Sequence, residues 1–271
     1  MRRSIVIACL AALVLTAPCS ARLKFEKNPV IAHRGAWLNT GLPQNSLASF
    51  RAAAEMGCHG SECDVWFTKD DSLVIFHDAK RDGKFIEEWT FEELRQVPLE
   101  NGELIPTLRE YITEAKKQKG TKLIIDIKSL RVHPERTTVL FRTVHDLVRE
   151  MKAERWVEYL AGDLDAITTM QKVTCVHIAY LGAWNKDLTE CAPENVKALH
   201  LRCIDYQDQQ YRKHPEWLPL FRKRGVHLNV WTVDKEEDMC YFLDEGFDYI
   251  TTNEPELLLE VCKACCAGVF K

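Results

Sequence analysis

Two histidines, two carboxylates and an arginine lie close together in the first third of this 271-residue chain. His33 and Arg34 follow a short apolar run, and His77 ends another one. Glu62 and Asp64 lie between them, separated by one residue. An imidazole can move protons, paired carboxylates can hold a hard cation, and a guanidinium can bind phosphate oxygens. These residue types favour cleavage of a phosphodiester with the help of a divalent metal ion.

The elements that would position these residues alternate along the chain. Apolar runs typical of strands lie at Val30–Ala32, Glu62–Phe67, Leu73–His77, Lys122–Lys128, Val157–Ala161, Val176–Leu181, Leu199–Ile204, Val226–Val233 and Tyr249–Thr252. Helical spacing is found at Leu47–Met56, Phe91–Val97, Leu108–Lys117 and about Glu135–Lys152. So many strand–helix units in one domain predict a closed (β/α)8 TIM barrel. A doubly wound open sheet is the alternative, but it would normally show a glycine-rich phosphate loop after the first strand.

The alternation of side chains along a strand groups the acidic residues. Glu62 and Asp64 point to one face of their strand, and Asp126 and Lys128 share a face of another. Charges inside a barrel are costly to bury unless they are paired or metal-bound, so the C-terminal mouth is their natural place. Three carboxylates there would suit Ca²⁺ or Mg²⁺. Glu-x-Asp alone fits a solvated edge or a salt bridge as well, and the two histidines favour the metal site.

The first residues have the pattern of a secretory signal. Arg2 and Arg3 precede an apolar run from Ile5 to Leu15, and small residues follow up to Ala21. We therefore expect a signal peptide over residues 1–21, export to the periplasm or the medium, and one barrel domain over residues 22–271. Lipidation at Cys19 is an alternative that would tether the chain to a membrane, although the preceding proline fits it poorly. An uncleaved amphiphilic tail is a second alternative.

Charge and cysteine content limit the other partners. The net charge of −4 does not point to nucleic acid as a partner. Nine cysteines would remain after cleavage, and an odd number leaves at least one thiol unpaired. The cluster Cys262, Cys265 and Cys266 lacks a second ligand pair at zinc spacing, so we expect a local disulfide or a free thiol there. The pairing, like the oligomeric state, cannot be deduced from sequence.

Two ordered sets of motifs carry a family resemblance. The first comprises His33-Arg34-Gly35, Asn45-Ser46, Phe50, Ala53-Ala54, Gly57, Glu62-x-Asp64-Val65, Thr68-x-Asp70 and His77-Asp78. The second comprises Val230-Trp231-Thr232-Val233-Asp234, Met239, Gly246-Phe247-Asp248-Tyr249-Ile250-Thr251-Thr252-Asn253 and Pro255. The chain resembles the glycerophosphodiester phosphodiesterase family from about Val30 to Leu259, more weakly between Trp156 and Asp208. No single motif is decisive, but the ordered set is specific.

The resemblance implies a TIM barrel that hydrolyses glycerophosphodiesters to sn-glycerol 3-phosphate and an alcohol. By position, Glu62 and Asp64 resemble ligands of one divalent cation, Ca²⁺ or Mg²⁺. Asp126 stands where the family usually has Glu, so it would hold the metal closer to its strand or leave room for a water ligand. The substrate would be a small molecule such as a choline, ethanolamine or glycerol diester.

The remaining roles also come from the resemblance. His33 and His77 resemble the acid–base pair, with His33 assigned as the base of the first step. Arg34 and Lys128 resemble phosphate-binding residues, and Trp231 would line the glycerol side of the pocket. The family suggests that the glycerol 2-hydroxyl attacks first and forms a cyclic phosphate, which water then opens.

One departure concerns the arginine. Gln44 occupies the position of the usual Glu before Asn45, which removes one carboxylate near Arg34. We expect this change to loosen the orientation of the guanidinium and to affect substrate preference more than catalysis.

Two other functions compete with this assignment. One is hydrolysis of lysophospholipid or sphingomyelin by a phospholipase-D-like barrel, whose Glu/Asp/Asp metal set Asp126 matches. The other is a noncatalytic exported protein that binds phosphodiesters. Two retained histidines argue against the second, because a site that only binds has no need for two proton carriers.

Overall fold

The computed structural model describes residues 25–118, 120–182 and 191–266, with the side chain of Cys266 outside that description. Its strands are β1 (Val30–Ala32), β2 (Gly60–Phe67), β3 (Leu73–Ile75), β4 (Lys80–Arg81), β5 (Lys84–Phe85), β6 (Lys122–Ile127), β7 (Val157–Ala161), β8 (Ile178–Gly182), β9 (Cys203–Gln207), β10 (His227–Trp231) and β11 (Tyr249–Thr252). The predicted signal peptide, residues 1–21, lies outside the described residues.

Eight of these strands form one closed ring. Strands β1, β2 and β6 to β11 pair in parallel, and β1 pairs with both β2 and β11. Strand β3 joins β2 in antiparallel fashion outside the ring, and β4 and β5 form a separate two-stranded sheet. A sheet that pairs with itself has no free edge, so the TIM-barrel prediction is confirmed and the open-sheet alternative is wrong.

Helices follow most of the barrel strands and cover its outer face. They are α1 (Leu47–Met56), α2 (Phe91–Arg95), α3 (Leu108–Ala115), α4 (Thr137–Glu150), α5 (Leu164–Met170), α6 (Asp208–Lys213), α7 (Trp217–Lys223), α8 (Glu236–Asp244) and α9 (Pro255–Cys266), with 3₁₀ turns at Ile86–Glu88 and Pro134–Arg136. Within the described residues, no helix combines the length and the apolar character needed to cross a bilayer.

The apolar residues form a core on each side of the strands. The barrel interior is filled by a layer of buried residues on successive strands: Ile31, Ile124, Leu160, Ala179 and Cys203. Residues of opposite parity, such as Ile125 and Ile127, pack outward in the larger core beneath the helices. Each buried aliphatic side chain contributes about 1.5–3 kcal/mol of stability. This inner layer lies beneath the polar residues of the C-terminal mouth.

Two strand predictions need correction. The run Leu199–Ile204 was expected to be a strand, but the strand is Cys203–Gln207. Leu199 and Leu201 instead donate backbone hydrogen bonds to Asn195 and Val196, so local turns use those amide groups. The run Leu73–His77 is a strand only as far as Ile75. Phe76 still donates its backbone N–H to Asp64 O, but the backbone N–H of Asp64 donates to Asn45 Oδ1 instead of returning the bond to Phe76.

No disulfide joins the cysteines whose side chains the structure describes. This set is Cys58, Cys63, Cys175, Cys191, Cys203, Cys240, Cys262 and Cys265. Burial, together with a thiol–thiol contact to Cys265 between α8 and α9, raises the pKa of Cys240. The fold therefore requires no disulfide among the described cysteines.

Candidate active site

Three carboxylates come together inside the C-terminal mouth of the barrel. Glu62 and Asp64 lie on β2, and Asp126 lies on β6 directly opposite Asp64 in the strand register. One oxygen of each lies within 4.8 Å of the others, and all three residues are at most 4% exposed. The strand parity predicted from sequence is thus confirmed, and the parallel register supplies the third carboxylate that β2 alone could not.

Two cations lie against this cluster. The Nζ of Lys128, just beyond β6, contacts carboxylate oxygens of both Asp64 and Asp126. The backbone N–H of Arg34 donates to Glu62 Oε2 at 2.9 Å, and its Nε lies 3.9 Å from Asp64 Oδ2. Asn45 Nδ2 donates a further hydrogen bond of 2.7 Å to Asp64 Oδ2.

Burial and the neighbouring charges shift the pKa values of the three acids in different directions. Burial and the charges of Asp64 and Asp126 raise the pKa of Glu62 well above its ordinary value. Burial and Asp64 likewise raise the pKa of Asp126 to about 6, against the opposing charge of Lys128. Burial would raise the pKa of Asp64 as well, but the charges of Lys128, His77 and Arg34 hold it below its ordinary value.

This donor set fits a divalent cation. A divalent cation would offset the negative charge of three close, buried carboxylates, and burial together with the charges of Asp64 and Asp126 already raises the pKa of Glu62. Hard oxygen ligands of this kind suit Ca²⁺ or Mg²⁺ better than a thiophilic metal. Glu62, Asp64 and Asp126 are the residues that would hold the ion.

His33 lies directly after β1 at the same mouth. Its backbone N–H donates to Thr252 O at 2.9 Å, and its Nδ1 lies 2.8 Å from Asn253 Oδ1. Burial, followed by the charge of Arg34, lowers the pKa of the imidazole to about 4. The ring is therefore neutral near neutral pH, with Nε2 not engaged by Asn253.

His77 stands two residues beyond β3 and is more open to solvent. Its side chain is 32% exposed, and its Nδ1 lies 2.6 Å from Asp78 Oδ1. Burial lowers the pKa of His77 below its ordinary value, although the charge of Asp64 and the hydrogen bond to Asp78 oppose this. The two imidazoles thus differ in partner: His33 faces a neutral amide and His77 faces a carboxylate.

Trp231 ends β10 on the inward-facing side of that strand. Its indole Nε1 donates a hydrogen bond of 3.1 Å to the backbone oxygen of Asp205 on β9. The ring is only partly buried, which leaves surface available at the mouth. The structure therefore brings all eight sequence-predicted site residues to the same end of the barrel, on β2, β6 and β10 or just after β1, β3 and β6.

Comparisons with known proteins agree with this geometry. A profile of the glycerophosphoryl diester phosphodiesterase family matches residues 33–257. The chain belongs to this family. A glycerophosphodiester phosphodiesterase of Caldanaerobacter subterraneus subsp. tengcongensis is 29% identical over 253 residues, covering 88% of this chain and 98% of the relative. The chain is accordingly a hydrolase of glycerophosphodiesters.

Two solved structures show the same barrel. A glycerophosphodiester phosphodiesterase from Parabacteroides distasonis is 35% identical, with a TM-score of 0.82 over 90% of this chain and all of that one. An Oleispira antarctica phosphodiesterase, solved in complex with the product sn-glycerol-3-phosphate, is similar in fold at 19% identity, with a TM-score of 0.73. The match covers 87% of this chain and 97% of the Oleispira antarctica chain.

The glutamine that departs from the family pattern still holds the arginine. Arg34 Nη1 donates to Gln44 Oε1 at 2.7 Å, so the amide carbonyl accepts the hydrogen bond that a carboxylate would accept. The expected loosening of Arg34 is therefore not seen in this structure of the phosphodiesterase. What changes is the charge, since a neutral acceptor leaves more of the positive charge of Arg34 available to an anion.

A tight turn presents Arg34 to the site. Arg34 and Gly35 both adopt left-handed backbone angles, with φ of 59° and 83°. A Cβ on Gly35 would lie 2.4 Å from Ser49 Oγ and 2.7 Å from Ser49 C in α1. Only glycine fits at this position, because α1 packs directly against the turn.

Replacing Gly35 by Ala is expected to reduce the free energy of unfolding by about 1–3 kcal/mol, since it adds both a steric clash and backbone strain. Gly41→Ala is the matched control, because Gly41 has φ of 69° but no atom within 4 Å of its ideal Cβ. Urea unfolding of the two variants separates the clash from the strain. Equal losses in both would contradict the role of the Ser49 contact.

Sequence reasoning missed the residues that orient the predicted ones. Asn45, with φ of 57°, exchanges hydrogen bonds with Asp64 through both its amide atoms. Asp78 contacts His77, and Asn253 contacts His33. Asp234 in turn accepts a hydrogen bond from Asn253. All four lie within the motifs that carry the family resemblance, so the motifs gave a signal, but a contact between the ends of two strands cannot be read from spacing.

Proposed function

We propose that the enzyme hydrolyses glycerophosphodiesters to sn-glycerol 3-phosphate and an alcohol by acid–base catalysis with His33 and His77. The observation that carries the proposal is that both histidines lie beside the acidic strand β2 at the C-terminal mouth. His33 directly precedes Arg34, whose backbone N–H donates to Glu62 Oε2, and His77 directly follows Phe76, whose backbone N–H donates to Asp64 O. The product complex of the Oleispira antarctica relative supports sn-glycerol 3-phosphate as the product.

The partners of the two rings favour His33 as the base. A base must be neutral with a free lone pair, and His33 is neutral beside the amide of Asn253. An acid must carry a proton, and the carboxylate of Asp78 stabilises an imidazolium at His77. His33 would take the proton of the glycerol 2-hydroxyl as its oxygen attacks phosphorus. His77 would protonate the leaving alkoxide, and water would then open the cyclic phosphate.

The remaining residues would bind and orient the substrate. Arg34 and Lys128 would neutralise charge on the nonbridging phosphate oxygens as it develops in the transition state. A divalent cation held by Glu62, Asp64 and Asp126 would add Lewis-acid stabilisation of the same charge. Trp231 would pack against the glycerol carbons, because its indole N–H is already occupied by the backbone of Asp205.

Purified protein is expected to release glycerol 3-phosphate from glycerophosphocholine only when Ca²⁺ or Mg²⁺ is present. Chelator should abolish release, because the carboxylate cluster would be left without its cation. Choline release from lysophosphatidylcholine, measured in parallel, tests the phospholipase-D-like alternative. Equal rates with chelator would contradict metal dependence, and turnover of only the lysophospholipid would contradict the proposed substrate.

We expect a bell-shaped dependence of kcat/KM on pH with its optimum on the acid side of neutral. The base His33 must be deprotonated, so activity is lost as pH falls through its pKa of about 4. The acid His77 must be protonated, so activity is lost as pH rises through its pKa, which burial lowers below its ordinary value. The profile is measured with saturating metal at each pH, because the carboxylates also bind protons. An alkaline optimum would contradict this assignment of roles.

We further propose that residues 1–21 are a cleaved signal peptide and that residues 22–271 form the exported domain. Mass spectrometry of the protein recovered from the cell exterior or periplasm tests both statements. Cleavage after Ala21 is the expected result. A diacylglycerol-modified Cys19 at the new N-terminus would support the membrane-tethered alternative, and an intact leader would contradict export by cleavage.

A further inference from the structure

We infer that Asp234 and Asn253 form a positioning pair that decides which ring nitrogen of His33 carries the proton. Neither residue would touch the substrate, and the inference rests on the proposed role of His33 as the base. What the pair controls is the tautomer of the neutral imidazole, a property distinct from its charge. A base of the right charge in the wrong tautomer has its lone pair on the wrong side of the ring.

The pair is connected by short hydrogen bonds. Asn253 Nδ2 donates to Asp234 Oδ2 at 2.8 Å, and the backbone N–H of Asn253 donates to Asp234 Oδ1 at 2.8 Å. Thr252 Oγ1 donates a third hydrogen bond, of 3.1 Å, to the same Oδ1. The carboxylate of Asp234 thus receives three donors, two of them from Asn253.

The donor and the acceptor of each of these hydrogen bonds are fixed. An ionised carboxylate can only accept hydrogen bonds, so the NH₂ group of Asn253 must face Asp234. The amide carbonyl of Asn253 then faces His33 Nδ1 at 2.8 Å, and a carbonyl also can only accept. The proton of neutral His33 therefore lies on Nδ1, and its lone pair lies on Nε2, where a base needs it.

The backbone holds both partners beside His33. Ala32 of β1 pairs with Thr252 of β11, and His33 N donates to Thr252 O, so His33 and Asn253 leave adjacent strands at the same level. Val233, which precedes Asp234, donates its N–H to Thr251 O. The ends of three neighbouring strands therefore fix the line from Asp234 through Asn253 to His33.

Replacing Asp234 by Asn tests the donor–acceptor order of the hydrogen bonds from position 234 through Asn253 to His33, with almost no change in side-chain shape. An amide NH₂ at position 234 would face the NH₂ of Asn253, so the Asn253 amide would have to turn over. Its NH₂ would then face His33 Nδ1, which would become an acceptor and pass its proton to Nε2. We expect kcat to fall between about 10- and 10,000-fold, with KM little changed. The ring ¹⁵N resonances of His33 should report the change to the Nε2–H tautomer.

The double variant Asp234→Asn/Asn253→Asp restores the direction by exchanging the two side chains. The amide at position 234 would donate to a carboxylate at position 253, which would again accept from His33 Nδ1. We expect this variant to recover at least about tenfold of the lost kcat and to regain the Nδ1–H resonance. Asp165→Asn, a substitution of an exposed residue on α5, is the control and should change neither kcat nor the tautomer of His33.

The outcomes separate this inference from the function on which it rests. Unchanged kcat and an unchanged tautomer in Asp234→Asn would overturn the inference. A fall in kcat that leaves the tautomer unchanged, or that the exchange does not relieve, would assign the pair a merely structural role and would also overturn it. Absence of hydrolysis by the unmodified protein, or full activity of a His33→Ala variant, would instead overturn the proposed function.

Discussion

Replacing His33 by Ala is expected to lower kcat by about 100- to 10,000-fold while leaving the barrel folded, because the variant would lose the neutral imidazole proposed as the base. The backbone N–H of residue 33 still reaches Thr252 O, so the link between β1 and β11 is retained. Turnover of glycerophosphocholine at saturating substrate and the thermal midpoint, both with metal present, measure the two effects separately.

A histidine at the other end of the barrel provides the control. His227 begins β10, its side chain is 55% exposed, and its ring lies beside the partly exposed Asp248 and the ring of His177. His227→Ala should therefore keep kcat within about twofold. A near-normal kcat in His33→Ala, or an equal loss in both variants, would contradict the assignment of His33 as the base.

The architecture was largely predictable because the sequence of a barrel strand shows two patterns, one on the face inside the barrel and one on the face beneath the helices. Alternation in Lys122–Ile127 separates an inner face with Ile124 and Asp126 from an outer face with Ile125 and Ile127, and the structure has this arrangement. The failure at Leu199–Ile204 has a physical cause. Apolar residues in a buried turn satisfy the same hydrophobic criterion as a strand, and only the tertiary hydrogen bonds decide between them.

The sequence predicted which side chains form the site but not the hydrogen bonds that orient them. Residue type and parity brought Glu62, Asp64 and Asp126 together, since these properties are local to each strand. The orientation of His33 depends on Asp234 and Asn253, which lie about 200 residues away and reach it only after the ring closes. No local pattern encodes the closure, so the amides and carboxylates that orient the catalytic groups emerge only from the structure.

Lys128 should show opposite effects on metal binding and on catalysis. Its ammonium group contacts carboxylate oxygens of both Asp64 and Asp126, where it would compete with a divalent cation for the same oxygens. Those carboxylates and Glu62 raise the pKa of Lys128 above its ordinary value in spite of burial, so the competing charge is permanent. A variant that removes the charge and keeps the length, Lys128→Met, separates the two effects.

We expect Lys128→Met to bind Ca²⁺ at least about tenfold more tightly, because a positive charge next to the ligands has gone. Its kcat/KM should nevertheless fall by about 100- to 1,000-fold, because the phosphate loses a charged partner in the transition state. With chelator the variant should also melt earlier than the unmodified protein, since Asp64 and Asp126 are left buried beside fewer positive charges, and Ca²⁺ should reverse that loss. Calcium titration, turnover and thermal unfolding measure the three quantities.

A second lysine, at the start of β6, supplies the matched control. Lys122 begins β6 at the opposite end of the barrel, where it is similarly shielded, with its side chain 17% exposed, and pairs with Glu158 rather than with the metal ligands. Lys122→Met removes an equal charge from the other end of β6, so a general electrostatic effect would appear in both variants. Tighter calcium binding confined to Lys128→Met would assign the competition to the position of the Lys128 ammonium group. Weaker calcium binding in that variant would mean that Lys128 supports the ligands instead of competing for them.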